Sequence, residues 1–209
     1  MEIIVSLVLI LGSLLIGAVS PGPSFVLIAR IAMGTSRKDG IAASIGMGLG
    51  GVLFSVLALL GLHTVLTNIP ILYIVFKVLG GLYLIYIAYR IWKGATETLT
   101  IDNQFFSEKS TLKKSFLIGL ITQISNPKTA IVYGSIFAAL LPASMPELFY
   151  YLLPPLVFTI EAGWYLIVTL ILSSSSPRAA YLHSKTVFDR VAGMVLAGLG
   201  IKLVSSASS

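Results

Sequence analysis

Four ionisable side chains fall inside long apolar runs of this 209-residue chain: Arg30, Lys77, Lys128 and Glu161. An ionisable group at membrane depth is costly and usually faces a bundle interior or a water-filled cavity. Glu161 is the acid of the set. Because loss of water favours the neutral form of a carboxyl group, Glu161 could take up and release a proton. It could equally bind an ammonium group or form a structural ion pair with a lysine.

Two helix-breaking motifs accompany these residues. Pro21-Gly22-Pro23 interrupts the first apolar run, and Asn126-Pro127 interrupts the fourth. Prolines disrupt a helix interior, and an opened helix leaves backbone groups that a membrane tolerates only beside a cavity or a ligand. Each break lies about 16 Å from the end of its run, near the bilayer midplane. Matching breaks in two inverted halves indicate a transporter's binding site; the alternative is that the prolines kink two helices for packing.

The second break carries three polar side chains. Lys128 begins the half-helix that follows, whose N-terminus favours anions, so a substrate carboxylate could bind beside it. The alternative is a lysine paired with Glu161 for structure alone. Gln123 and Asn126, one turn apart, supply donors and acceptors, or else they bridge helices.

Further polar residues follow the first break and line the third run. Ser24 comes directly after the break, and Arg30 two turns beyond it could guide a carboxylate or extend to lipid phosphates. Lys77 is expected to extend to the outer surface. Tyr83 lies deep enough to line a substrate path. Aromatic residues recur every three positions after Tyr83, at Tyr86, Tyr89 and Trp92. An interfacial aromatic belt accounts for these three.

Composition and hydropathy define the elements that must position these residues. Hydrophobic residues make up 56% of the chain and charged residues 11%, which is too little charge for a soluble globule. Six runs reach the length of about 20 residues that a spanning helix needs, at about 3–33, 41–62, 70–92, 115–141, 148–172 and 187–204. Polar connections, including 173–186, are predicted as loops.

These runs predict one all-α membrane domain over residues 1–209. It comprises a three-helix repeat at about 1–95, a cytoplasmic loop at about 93–114 and a second three-helix repeat at about 115–204. Three crossings is an odd number, so the second repeat is inverted relative to the first. Helices 1 and 4 are the broken ones.

Basic residues predict the orientation, because Lys and Arg accumulate on the cytoplasmic side. The second and fourth connections between the apolar runs carry no Lys or Arg. The first, third and fifth carry Arg37, Lys38, Arg90, Lys93, Lys109, Lys113, Lys114, Arg178, Lys185 and Arg190. Both termini are therefore expected outside. The net charge of +6 mostly orients helices, and a nucleic-acid partner is not expected.

The motifs in chain order resemble a known family. Ser20-Pro21-Gly22-Pro23-Ser24 is followed by a Gly-rich second helix, and Ser125-Asn126-Pro127-Lys128 opens the second half. The third run carries Gly-Gly-Leu-Tyr83 within a segment from Leu79 to Arg90, and Asp189-Arg190 begins the sixth. This order is similar to the lysine exporter or homoserine/threonine resistance family of amino-acid exporters, of the LysE/RhtB type.

The resemblance implies a secondary transporter that exports amino acids or related small zwitterions across the bacterial inner membrane, coupled to protons. Family members often carry Asp or Asn where this chain has Ser24, and Asp where it has Glu161. We expect alternating access around the two breaks, with Glu161 exchanging the proton. One deep acid facing lysines favours a neutral amino acid, since a dibasic one would be expected to recruit a second acid.

Other functions remain as alternatives. An enzyme would need a nucleophile with a base or paired acids; the two histidines, His63 and His183, fall in predicted loops, so no enzyme is expected. A metal or other cation exporter would need clustered His, Cys or carboxylate ligands. A passive channel would need no proton coupling. No cofactor or bound metal is expected. Small residues at Ala42, Gly46 and Gly50 allow close helix packing, within the chain or in a homodimer.

Overall fold

In the computed structural model the chain is described over residues 2–20, 22–68, 70–96, 111–141 and 146–207. The described residues form eight helices and no strand. The helices are α1 (Glu2–Val19), α2 (Pro23–Gly34), α3 (Arg37–Asn68), α4 (Pro70–Gly94), α5 (Leu112–Ile124), α6 (Pro127–Leu140), α7 (Leu148–Leu172) and α8 (Ser175–Ser205). The all-helical prediction is confirmed. Pro21 and most of the predicted loop at 93–114 lie outside the described residues.

Polar caps and prolines explain where the helices begin. Ser36 Oγ accepts from the N–H of Asp39 at 3.1 Å at the start of α3, which satisfies an amide that has no partner within the helix. Helices α2 and α6 each begin at a proline, which suits the first helical position because its missing N–H would have no partner there. The α1 and α2 axes are bent by 59°. Both predicted runs are thus broken where the sequence indicates.

Two helices are longer than their apolar runs predict. Helix α3 continues to Asn68, and α8 begins at Ser175, within the 173–186 stretch predicted as a loop. His63 and His183 therefore lie in helices, so the prediction that they fall in loops is wrong. Hydropathy misplaces the start of α8 because the stretch from Ser175 to Thr186 is polar in sequence and yet helical. Thr186 Oγ1 donates to the carbonyl of Ala95 at 3.0 Å, just beyond the end of α4.

Helix length and hydropathy identify membrane-spanning candidates. Among the described residues, Arg37–Gly61 and Leu148–Leu172 are long and apolar enough to cross a membrane, and the bent pair α1–α2 makes a third candidate. These helices, with the composition, support an integral membrane protein. Six crossings in two inverted repeats stay a prediction, because this criterion accounts for at most three.

Close helix crossings are formed at glycines. Helix α3 packs along α5 and α7, and α4 packs along α8. A Cβ atom on Gly46 of α3 would collide with the backbone of Phe116 on α5. A Cβ atom on Gly200 of α8 would lie 2.6 Å from the carbonyl oxygen of Gly81 on α4. The small residue predicted at Gly46 therefore serves packing within the chain.

The apolar core surrounds α6 and fixes the position of the second break. Ile136 and Phe137 of α6 are fully buried in one cluster with Leu14 of α1, Leu84 of α4 and Leu153 of α7. Burial of these side chains away from lipid holds α6 between the other three helices. The polar residues at its N-terminus are thereby carried into the bundle.

Candidate functional site

Hydrogen bonds join the two helix breaks. Asn126 Nδ2 donates to Ser24 Oγ at 2.9 Å, and Ser24 Oγ donates to Gln123 Oε1 at 2.7 Å. All three side chains are buried. Asn126 also caps α6, because its Oδ1 accepts from the backbone N–H of Lys128 at 3.0 Å. The start of α2, the end of α5 and the start of α6 are thus held as one unit.

Glu161 extends this chain of hydrogen bonds to α7. Gln123 Nε2 donates to Glu161 Oε2 at 3.1 Å, and the Tyr133 hydroxyl donates to Oε1 at 2.8 Å. The Glu161 residue is 2% exposed. Within the part of the chain that the structure describes, no ion pair joins Glu161 to Lys128 or Lys77. Neutral donors therefore hold both carboxyl oxygens.

Helix α3 passes close to this carboxyl group. A Cβ atom on Gly51 would lie 2.9 Å from Glu161 Cγ and 2.9 Å from the Tyr133 hydroxyl oxygen. A side chain at this position would force one of them to move. The absence of a side chain at Gly51 is therefore part of the geometry that places Glu161 and Tyr133 in contact.

Lys128 binds the end of α1. Its Nζ donates to the carbonyl oxygen of Ser20 at 2.9 Å, to the Ser20 hydroxyl at 3.0 Å and to the carbonyl oxygen of Gly17 at 3.3 Å. Carbonyls at a helix C-terminus lack partners within the helix and carry partial negative charge. Lys77 acts in the same way on α8, where its Nζ donates to the carbonyl of Ser206 at 2.9 Å.

The N-termini of the two half-helices differ. Asn126 caps α6 with its side chain, whereas Gly22 at the start of α2 makes no such bond. A Cβ atom on Gly22 would lie 3.3 Å from Lys128 Nζ. The ammonium group therefore lies beside the uncapped N-terminus of α2, and the two together form a positively polarised surface that favours an anion.

Two cavities adjoin the breaks. The small cavity, about 20 Å³, is bordered by Ser24, Gln123 and Glu161 among others and has room for about one water molecule. The large cavity, about 480 Å³, lies between α2, α4, α8 and the start of α6. Its volume is within the range of small-molecule sites. Lys128 borders both cavities.

Most of the residues predicted for the site lie around these cavities. The large cavity is bordered by Gly22, Pro23, Tyr83, Asn126, Pro127 and Lys128. Ser24, Gln123 and Glu161 border the small one. Arg30 borders neither, and its Nε is buried without a hydrogen-bond partner among the described residues. Pro21 lies outside the described residues.

The cavity linings also include residues that were not predicted as part of the site, among them Tyr133, Arg90, Lys185 and Asp189. Tyr133 lies seven residues after Asn126, two helical turns on, so helical spacing was an available signal. Lys185 and Asp189, four residues apart on α8, form a buried ion pair with Nζ–Oδ2 at 2.8 Å. Their i,i+4 spacing was the corresponding signal.

The arrangement brings charged and ionisable groups to the two cavities. The start of α2 with Lys128 suits a carboxylate, and Glu161 is an ionisable group beside the small cavity. Across the described ranges, no group of three or more His, Cys, Asp or Glu side chains is placed to hold a metal ion.

Comparisons with known proteins cover nearly the whole chain. The family model of LysE type translocators matches residues 15–207. The threonine efflux protein of Escherichia coli K12 is 28% identical over 193 residues, which cover 92% of this chain and 94% of that protein. The threonine efflux protein of Salmonella typhi is 29% identical with the same coverage. An uncharacterized membrane protein of Haemophilus influenzae is 30% identical over 194 residues, 91% of each chain. No solved structure matches significantly.

Proposed function

Because this chain belongs to the LysE type translocator family, it is a membrane transport protein rather than an enzyme, and we propose that it exports small neutral amino acids coupled to protons. The relatives named as threonine efflux proteins support the substrate class. The observation that carries the proposal is Glu161. It is a buried acid, held by neutral donors and linked through Gln123 and Ser24 to both helix breaks.

The substrate carboxylate binds at the N-terminus of α2. The N-terminus of a helix carries partial positive charge, and Lys128 adds a full one nearby. The α6 N-terminus is less suited, since Asn126 already accepts from the Lys128 N–H. Gly22 has no side chain that would keep a ligand away from this backbone. The large cavity provides the space for the rest of the amino acid.

Glu161 carries the proton. In the structure both of its oxygens accept hydrogen bonds, as an ionised carboxylate does. When Glu161 is protonated on Oε2, its O–H donates toward Gln123, whose amide turns so that Oε1 accepts. The Gln123 Nε2 then faces Ser24, whose hydroxyl must accept where it now donates. Protonation at Glu161 thereby changes the hydrogen bond at the first helix break.

The proposed transporter is a six-crossing bundle of two inverted repeats in the bacterial inner membrane, with both termini outside. In that orientation the large cavity faces the cytoplasm, because Arg90 and Lys185 border it and basic residues accumulate on that side. The transporter takes an amino acid from the cytoplasm into this cavity, and outward release follows when the helices around the breaks repack.

The proposal is tested with purified protein in proteoliposomes under an imposed pH gradient. Glu161→Gln keeps the size of the side chain and resembles its neutral, protonated form, but it removes the titration. We expect exchange of labelled threonine at equal pH to persist while acceleration by the gradient is lost. Glu147→Gln is the matched control, since Glu147 is an exposed acid at the start of the same helix.

Three outcomes would contradict the proposal. Gradient-driven transport by Glu161→Gln at the wild-type rate would exclude the coupling role. Transport of metal ions but of no amino acid would favour a cation exporter. Amino-acid flux through the wild type that does not saturate and does not depend on the pH gradient would favour a passive channel.

A further inference from the structure

The wall of the large cavity contains a buried acid, Asp189, whose charge is balanced by Lys185. The Lys185 Nζ donates to Asp189 Oδ2 at 2.8 Å, and both residues are buried on α8. The pair borders the same cavity as Lys128 and Arg90. The inference rests on the proposed function, which places an amino acid in this cavity. There the amino acid contacts Asp189, an acid other than Glu161.

The contacts of Lys185 use all of its donors. Besides Asp189 Oδ2, its ammonium group donates to the carbonyl oxygens of Gly94 at 3.0 Å and Ala95 at 3.3 Å. An ammonium group has three N–H donors, so none remains for a ligand. Asp189 Oδ1 has no hydrogen-bond partner within the described structure and belongs to a side chain that borders the cavity. A ligand can therefore reach the acid of this pair but not the base.

We propose that the Lys185–Asp189 pair sets the charge preference of the transporter for neutral amino acids over dibasic ones. Asp189 Oδ1 accepts a hydrogen bond from the substrate's α-ammonium group, which all α-amino acids share. Lys185 cancels the charge of Asp189, so no net negative charge remains to attract a second cation. With Arg90 and Lys128 the cavity wall keeps a positive excess, which favours the carboxylate and disfavours a cationic side chain.

The test measures selectivity in inverted membrane vesicles. Uptake of labelled threonine is competed with unlabelled lysine and with unlabelled threonine, and the ratio of the two inhibitory concentrations gives the preference. Lys185→Gln keeps N–H donors for Gly94 and Ala95 but removes the charge. We expect the apparent affinity for lysine, relative to that for threonine, to rise at least about tenfold. One uncompensated unit charge at close range contributes at least this much at an effective dielectric constant of about 20.

A charge series separates this role from a structural one. Lys185→Gln combined with Asp189→Asn restores the charge balance, and we expect its selectivity to return to that of the wild type. Thr186→Val removes a hydrogen bond to the same Ala95 carbonyl without a change of charge. Arg190→Gln removes an exposed charge on the same helix that does not border the cavity. Both controls are expected to keep the wild-type ratio.

Failure of this inference differs from failure of the proposed function. If wild-type vesicles transport no amino acid, the proposed function is wrong. If they transport threonine and Lys185→Gln leaves the lysine-to-threonine ratio unchanged, the selectivity role is wrong. A gain for lysine that persists in the double variant would also overturn it. Should Lys185→Gln not reach the membrane, Lys185→Met is measured against the same ratio, with the same result required.

Discussion

Lys128 Nζ lies 2.9 Å from the carbonyl oxygen of Ser20, so a side chain from the second half of the chain completes the end of a helix from the first half. The sequence suggested two roles for this lysine, a substrate contact or an ion pair with Glu161. Its bonds to α1 place it instead between the two breaks. Its three N–H donors are taken by α1, so it can act on a substrate carboxylate through its charge while it holds the helix end.

Replacement of Lys128 by Met is expected to weaken both roles. Loss of the charged hydrogen bonds to Ser20 and Gly17 lowers the free energy of unfolding by about 2 kcal/mol, and loss of the charge at the start of α2 raises the threonine Kd by about tenfold. Thermal unfolding in detergent and equilibrium binding measure the two effects. Lys77→Met is the control, because Lys77 also donates to a helix-end carbonyl. Equal threonine affinity in both variants would contradict the effect of the Lys128 charge on the substrate.

Removal of the Tyr133 hydroxyl is expected to slow proton-coupled transport. Tyr133→Phe leaves Glu161 with Gln123 as its remaining donor, so the charged form of the carboxyl group loses a hydrogen bond worth about 1–3 kcal/mol. We expect gradient-driven efflux to fall about tenfold, with threonine exchange at equal pH affected less. Tyr89→Phe, at an exposed tyrosine, should behave as wild type. Loss of exchange to the same extent would indicate a general structural role.

A methyl group at Gly51 is expected to displace the Glu161 side chain. The added Cβ would lie 2.9 Å from both Glu161 Cγ and the Tyr133 hydroxyl oxygen, and small misplacements at a reactive group can cost up to about a hundredfold in rate. Gly51→Ala should therefore reduce gradient-driven efflux at least about tenfold. Gly61→Ala on the same helix, where no neighbour lies within 4 Å, is the control. Wild-type efflux by Gly51→Ala would show that the contact can relax.

Two glycines on α8 are expected to respond in opposite directions. A Cβ atom on Gly200 would lie 2.6 Å from the carbonyl oxygen of Gly81, so Gly200→Ala should destabilise the protein by about 1–3 kcal/mol. A Cβ atom on Gly198 meets nothing within 4 Å. Gly198→Ala should therefore stabilise the helix by about 0.5–1 kcal/mol. Unfolding temperatures in detergent measure both. The same sign of shift for the two variants would contradict the α4–α8 packing.

The helix breaks could be predicted from the sequence because proline chemistry is local. Pro23 and Pro127 lack the N–H that a helix interior needs, so each fixes a helix start without reference to any other helix. The deep position of Glu161 was equally readable, since a charge inside an apolar run must avoid lipid. These features depend on a residue and its immediate neighbours along the chain.

The partners of the buried groups could not be predicted in the same way. The Tyr133 hydroxyl on α6 donates to Glu161 on α7. In a membrane protein the helix faces toward lipid and toward protein are both apolar, so hydropathy does not show which side of α6 faces inward. The start of α8 was missed because the sequence there is polar, whereas Lys185 and Thr186 further along this helix pair with the end of α4. Such pairing depends on how helices distant in sequence meet.

The bond between Lys128 and α1 also bears on how the protein is made. The residues it joins, Lys128 and Ser20, are 108 positions apart, so the ribosome must synthesise half the protein after α1 before this partner exists. Until then the carbonyls at the end of α1 have no lysine to bind, and unsatisfied backbone groups in a bilayer cost several kcal/mol each. We therefore expect the first half to reach its final position in the membrane only after the second half has been inserted.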